Sequence, residues 1–335
     1  MPFKIVRNDI TKMEVDAIVN TANPHPIYAK GTDAAIYEAA GADKLLAARE
    51  NIGEIKVGEA ALTPAFALAS KYIIHTVGPI WRDGKNNERE KLQSCYEKSL
   101  SLAKDKDCQS VAFPLISTGI YGFPKDEALQ IALSTISNFL MQEDLMVYLV
   151  VFDHESYRLS EKLFADVDTF IDENYVQEKV TFTYSSDITE RSHRFEAMPL
   201  PECFPRMASA PAESSLEDVI EEVGETFQER LLRLIDERQL TNAEVYKKAN
   251  LNRKLFSKIL CNPAYHPKKR TVVAFAIALE LNLDETKDLL SRAEYAFSPS
   301  SRFDLIIQYF IQRGIYDVYQ INVVLFDHKE PLLGE

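Results

Sequence analysis

The segment Val15–Asp33, VDAIVNTANPHPIYAKGTD, gathers side chains suited to chemistry within one short stretch. An apolar run, Asp16-Ala17-Ile18-Val19, reads as a strand, and two amides, Asn20 and Asn23, stand at its exit. A carboxylate, Asp33, follows where helical periodicity begins at Ala34. A strand, a polar loop and a helix start together hold an anion well. The first N–H groups of a helix lack partners, and its dipole favours negative charge there. The same residues also suit an ordinary turn, with Asn, Pro and Gly present for backbone reasons and Asp33 as a helix N-cap.

Other loops must converge on this one for a site to exist. Strand-like runs occur at Lys4–Val6, Ala17–Val19, Ala60–Thr63, Tyr72–Val77, Ser110–Ile116 and Met146–Phe152. Helical patterns fill Ala34–Ala39, Lys44–Asn51, Glu88–Lys104, Lys125–Met141 and Ser156–Asn174. Such alternation predicts a three-layer α/β unit over residues 1–175, with a sheet between helices. Ligands of such sheets lie beyond strand ends. The loops Asn8-Asp9-Ile10-Thr11, Asn20–Asp33, Ser117-Thr118-Gly119-Ile120-Tyr121-Gly122 and Phe152-Asp153 would therefore share one rim. Gly119 and Gly122 would let backbone approach phosphate oxygens closely. Pro114 removes a ladder donor, which predicts a strand end or bulge beside the site. Neither G-x-G-x-x-G nor G-x-x-x-x-G-K-[ST] occurs in this unit, which argues against a dinucleotide oxidoreductase or a P-loop NTPase.

Several collinear stretches resemble macrodomains of the MacroD-like class. They are Asp9-Ile10-Thr11, Val15–Asn23, Gly41, Gly58-Glu59-Ala60, Ile73-Ile74-His75-Thr76-Val77-Gly78-Pro79 and Ala112–Gly122. The resemblance covers roughly residues 1–175. It implies a mixed six-stranded sheet between helices, with ADP-ribose, free or protein-linked, across its top. Carried over by position, Asp9 would accept from the adenine amino group, Ile10 would offer backbone, and Phe152 would stack on the base. Ser117, Thr118, Gly119, Ile120, Tyr121 and Gly122 would wrap the diphosphate, with Asn20 and Gly31 completing the binding set.

Hydrolytic members share a pattern of Asn, six residues, Gly-Gly-[aliphatic]-Asp, with a later Gly-x-[Tyr/Phe]-Gly. Here the first half reads Asn23, six residues, then Lys30-Gly31-Thr32-Asp33, and the second is intact as Gly119-Ile120-Tyr121-Gly122. Lys30 and Thr32 replace a glycine and an aliphatic residue, and Tyr28 and Ala29 stand where hydrolases are usually glycine-rich. Lys30 would either distort the phosphate cradle or supply it with a cation. The candidate catalytic residues are Asn23, at the distal ribose, and Asp33, which would orient or deprotonate a water. The implied chemistry is removal of ADP-ribose from acidic side chains or deacetylation of O-acetyl-ADP-ribose. The alternative is a non-catalytic sensor of ADP-ribose. His75 lies in an apolar run and is expected to be a core histidine, and Trp81 and Tyr96 are expected to pack. His25 alone stands near the first loop as a metal ligand, so neither metal nor cofactor is expected.

At 335 residues two domains are expected. The formal charge of −13 is uneven: residues 225–335 hold 16 Lys+Arg and 15 Asp+Glu, net +1, leaving −14 on residues 1–224. The four cysteines, Cys95, Cys108, Cys203 and Cys261, show no paired spacing, which fits a reducing compartment. No run approaches the roughly 20 apolar residues of a membrane span, nor is a signal-peptide core present. A cytoplasmic protein without membrane contact is expected.

Residues 176–224 lose periodicity, with Pro, Ala and Ser concentrated in Pro199–Ser215 and acids in Glu213–Glu225; a partly disordered linker is expected. Residues 225–335 read as an all-α domain. Its helices are Phe227–Arg238, Asn242–Ala249, Arg253–Leu260, Thr271–Leu281, Glu285–Tyr295, Phe303–Arg313 and Val318–Leu325. Thr241-x-x-Glu244 has the form of a capping box, Asn252 and Asp284 are candidate N-caps, and Gly314 is a candidate terminator. Residues 226–295 resemble a helix-turn-helix of the Cro/repressor type. From Asn252 to Arg270 there are six bases and no acid. Asn252, Arg253, Lys254, Ser257 and Lys258 are the candidate DNA contacts within residues 242–270. A solvated face, or a surface that docks a partner protein, is the alternative. The aromatics Phe303, Tyr309, Phe310, Tyr316, Tyr319 and Phe326 are expected mostly in the core, with some available to a homodimer surface.

Overall fold

In the computed structural model the described residues are 2–28, 30–151, 161–175, 225–262 and 264–334. Phe152 and the expected linker, residues 176–224, lie outside them. The strands are β1 (Phe3–Arg7), β2 (Ala17–Thr21), β3 (Ala60–Pro64), β4 (Tyr72–Thr76), β5 (Ser110–Pro114) and β6 (Met146–Val151). They form one sheet of six strands in the order β1-β6-β5-β2-β4-β3. All neighbours run parallel except β3, which runs antiparallel to β4.

Two apolar cores form because strand side chains alternate between faces. Ala17, Val19, Ile74, Val111, Phe113, Val147 and Leu149 enter one core. Their neighbours Ile18, Ile73, Ala112 and Val150 enter the other. The first core is closed by α3 (Glu88–Asp105), α4 (Lys125–Gln142) and α5 (Glu161–Asn174), and the second by α1 (Thr32–Ala40) and α2 (Ala42–Ile52). Each such isoleucine or phenylalanine removed from water contributes about 1.5–3 kcal/mol. This is the expected mixed, six-stranded, three-layer arrangement. Pro114 is the last residue of β5, paired with Val150, so the missing donor falls where the chain leaves the sheet.

The C-terminal region is all-helical among the described residues: α6 (Phe227–Glu237), α7 (Asn242–Lys248), α8 (Arg253–Cys261), α9 (Lys269–Ala278), α10 (Leu283–Arg292), α11 (Arg302–Gln312) and α12 (Val318–Asp327). Residues Thr271–Ala278 of α9 are buried on every side, which makes it the central helix. Thr241 and Glu244 form the expected capping box, Asn252 caps α8, and Gly314 at φ +67° ends α11. The N-cap of α10 is Asn282 rather than Asp284: its side chain takes the Asp284 and Glu285 N–H groups, and Glu285 returns the bond.

This region docks on the sheet edge. The β1 edge has unpaired backbone groups facing away from β6, which a neighbour must satisfy. The Asn250 side chain does so, accepting from Phe3 N (3.0 Å) and donating to Phe3 O (3.1 Å). Asn250 lies between α7 and α8 at φ +54°, a conformation that asparagine tolerates. Phe3 also meets the Tyr319 ring edge-on at 5.0 Å, Phe170 of α5 meets Tyr309 at 5.5 Å, and Lys247 Nζ donates to Met141 O at 3.1 Å. Tyr309 and Tyr319 thus face the α/β unit of their own chain.

Candidate functional site

Three of the four expected loops meet beyond the strand ends, and the fourth, Phe152-Asp153, lies outside the described residues. One cavity of about 280 Å³ is lined by Asn23, Lys30–Asp33, Gly78 and Pro114–Tyr121. A second, of about 370 Å³, is lined by Asn8, Asp9, Ile10 and Ala35, and shares Gly31, Thr32, Pro114 and Val150 with the first. The two make one continuous cleft across the top of the sheet.

At its far end, Asp9 caps a 3-10 turn (Ile10–Lys12), its carboxylate accepting from Thr11 N (3.0 Å) and Thr11 Oγ1 (2.7 Å). The Thr11 hydroxyl bond holds the Asp9 carboxyl below its usual range, so the residue is an anion at neutral pH. Ile10 is buried behind it.

At the near end Asp33 is 3% exposed. It is not the N-cap of α1; Gly31, at φ +88°, occupies that position. Its Oδ1 accepts from Asn20 Nδ2 at 2.7 Å and its Oδ2 lies 3.4 Å from Asn23 Nδ2. Asn20 stands inside β2, fully buried, and lines neither cavity. The expectation that it touches ligand is therefore replaced: it fixes Asp33 from behind, because the alternation of β2 turns its side chain inward. The second Asn20 amide hydrogen points to His75 Nδ1 (3.2 Å), and His75 Nε2 lies 2.9 Å from Thr63 Oγ1. With Nδ1 accepting, the network assigns the proton to Nε2, donating to Thr63. Burial, then the Arg49 charge, lowers the His75 pKa to about 3, so the imidazole is neutral. His75 is the core histidine expected, and it also orients Asn20.

Arg49 of α2 was not singled out by sequence reasoning. It is 1% exposed and donates to Gly53 O (2.7 Å), Asn23 O (3.2 Å) and Pro24 O (3.3 Å). A buried guanidinium so bonded fixes the loop carrying Asn23. Burial raises the Tyr37 pKa to about 12, with the Asp33 charge adding to it. Tyr37 stacks on Tyr28 of the same loop at 4.6 Å.

The loop after β5 lines the same cavity as Asp33. Ser117 adopts φ +65°, and its buried Oγ on the cavity wall has no partner among the described residues. Gly78 makes this possible: a Cβ there would lie 2.0 Å from Ser117 Oγ. Tyr96, expected only to pack, also accepts from Ile116 N at 3.1 Å and so holds the loop's base. Thr118, Gly119, Ile120 and Tyr121 line the cavity. Gly122 does not; at φ +65° it closes the turn, donating to Gly119 O at 3.0 Å. Lys30 is exposed on the cavity wall. Among the described residues no three His, Cys, Asp or Glu side chains are grouped to hold a metal ion, and no helix is long and apolar enough to cross a membrane.

Asn252, Arg253, Lys254, Ser257 and Lys258 are all exposed, along α8 and its cap. Lys258 Nζ lies 4.4 Å from the Tyr265 ring centroid.

A Macro domain profile matches residues 19–132. A Macro domain-containing protein of Listeria monocytogenes is 46% identical over 170 residues, covering 49% of this chain and 97% of the relative. An O-acetyl-ADP-ribose deacetylase of Cronobacter turicensis is 45% identical over 171 residues, covering 50% of this chain and 97% of the relative. Among solved structures, an Oceanobacillus iheyensis macrodomain with ADP is 41% identical, covers 50% of this chain and 92% of that one, and superposes with a TM-score of 0.45. Through its α/β half the chain belongs to the Macro domain family, and a separate all-helical region follows.

Proposed function

We propose that the chain binds ADP-ribose along the two joined cavities and hydrolyses an ester on the distal ribose. The products would be mono-ADP-ribose freed from an acidic side chain, or acetate freed from O-acetyl-ADP-ribose. One observation carries the reading: a buried Asp33 carboxylate, held by Asn20 and Asn23, lines the same cavity of about 280 Å³ as the Ser117–Tyr121 loop. Kinship with a deacetylase at 45% identity supports the same chemistry. In the reaction Asp33 holds a water and takes its proton. The hydroxide adds at the ester, the C–O bond breaks, and the proton passes to the departing oxygen. The Ser117–Tyr121 loop, which lines the same cavity, would hold the phosphate oxygens. The test is incubation with an auto-ADP-ribosylated target beside Asp33→Ala. Release by wild type and not by the variant is expected. Tight calorimetric binding with no release would remove the enzyme and leave the sensor.

Two observations favour the sensor as a second reading. Lys30 stands exposed on the cavity wall where hydrolases carry glycine. The exposed basic face of α8 also belongs to a region clamped to the sheet through Asn250. On this reading residues 242–270 form a helix-turn-helix that meets DNA and responds to ligand occupancy. Binding to random duplex DNA should then weaken with salt, with a log–log slope of about −0.9 per phosphate neutralised. A flat titration excludes it.

A further inference from the structure

A third cavity, of about 340 Å³, adjoins the candidate site at the end where Asn23 lies. It shares Gly78 and Tyr121 with the central cavity, and Trp81 N donating to Tyr121 O (2.9 Å) ties the two sides of the shared wall. The three chambers therefore stand in a row: Asp9 in the first, Asp33 in the second, Pro24 and Ile80 in the third. Resting on the reading just proposed, ADP-ribose fills the first two, with its distal ribose at Asn23. Whatever is esterified to that ribose leaves toward the third. An acetyl group needs none of this volume.

We infer that the third cavity is a subsite for the polypeptide flanking an ADP-ribosylated residue, taking an apolar side chain beside an acidic one. Part of its apolar lining is exposed: Ile80 is 58% and Val57 43% exposed, beside Pro24 and Pro79. Ile80 and Val57 line one cavity rather than standing singly, and grouped exposed apolar side chains mark a contact surface. The free charge at this rim is positive. Arg82 is exposed and has no partner among the described residues. Lys91 Nζ donates to Asn86 O at 2.8 Å. The one acid in the lining, Glu88, is 2% exposed and turns its carboxylate onto its own loop, accepting from Asn86 N at 2.6 Å. That leaves the Arg82 guanidinium to meet a carboxylate of the partner.

The test compares free ADP-ribose with a peptide bearing ADP-ribose through a hydrolysis-resistant amide, with leucine and glutamate beside the linkage. Wild type and an Ile80→Asp, Arg82→Glu double variant are titrated with both by calorimetry. Wild type should bind the conjugate at least about tenfold more tightly than ADP-ribose, and the double variant should bind the two alike, with ADP-ribose affinity held within about twofold. Equal wild-type affinity for both probes overturns the subsite, as does a variant that weakens both equally. Failure of ADP-ribose itself to bind wild type is a different result: it removes the functional reading, and the subsite with it.

Discussion

Replacing Asn20 by alanine separates a residue that touches ligand from one that aims the working carboxylate. The variant deletes the 2.7 Å bond to Asp33 Oδ1 and the 3.2 Å bond to His75 Nδ1, both from one amide nitrogen. A hydrogen bond to a charged group contributes about 1.5–3 kcal/mol, and a buried acceptor left unpaired costs about 1–3 kcal/mol. The expected loss of stability is then about 3–5 kcal/mol, within the roughly 5–15 kcal/mol typical of a folded domain. Turnover should fall about 100-fold, because a shift of about 1 Å in a reacting group costs that much. ADP-ribose affinity should change by less than about threefold, since Asn20 lines neither cavity. Urea denaturation gives the first quantity, release from a modified target the second, calorimetry the third. Turnover and affinity falling by the same factor would place Asn20 on the ligand and refute this reasoning. Wild-type turnover would refute the role of the Asn20–Asp33 bond.

Further outcomes follow from the same geometry. Gly78→Ala would put a Cβ 2.0 Å from Ser117 Oγ and 2.9 Å from Ile116 Cγ2, forcing both side chains at the base of the loop to shift, so calorimetry should show ADP-ribose affinity lowered at least about 30-fold. His75 is buried with a pKa near 3 against 6.5 when exposed, so the unfolded chain binds the extra proton between those values. Its contribution is complete above pH 6.5 and is lost as pH falls toward 3, amounting to several kcal/mol; His75→Gln should flatten the stability–pH curve in that window. Asn250→Gly keeps the φ of +54° accessible while deleting the Phe3 clamp, so denaturation should show about 2–4 kcal/mol lost, with Asn250→Ala losing about 1 kcal/mol more for its backbone.

The layer plan was legible because period-2 and period-3.6 apolar patterns carry it directly, and Pro114 marked a strand end for the reason anticipated. The loops converging on Asp33 were legible too, through strand order and the resemblance. The devices that hold the site were not. Asn20 and His75 are partners only because β2 and β4 lie side by side, and Arg49 reaches Asn23 from a helix 26 residues away. Gly78 stood only within a stretch carrying the resemblance, and its physical need arises from Ser117 in another loop. The Asn250 clamp joins residues 247 apart, beyond the reach of any local pattern. At α10, Asn282 and Asp284 are both capping types, and the box with Glu285 decides between them.

Crystals soaked with ADP-ribose test the central claim most directly. The adenine should lie against Asp9, the diphosphate along Ser117–Tyr121, and the distal ribose within about 2.7–3.2 Å of the Asn23 amide and facing Asp33. A ligand seated elsewhere, or one running the other way with its distal ribose at Asp9, would contradict it.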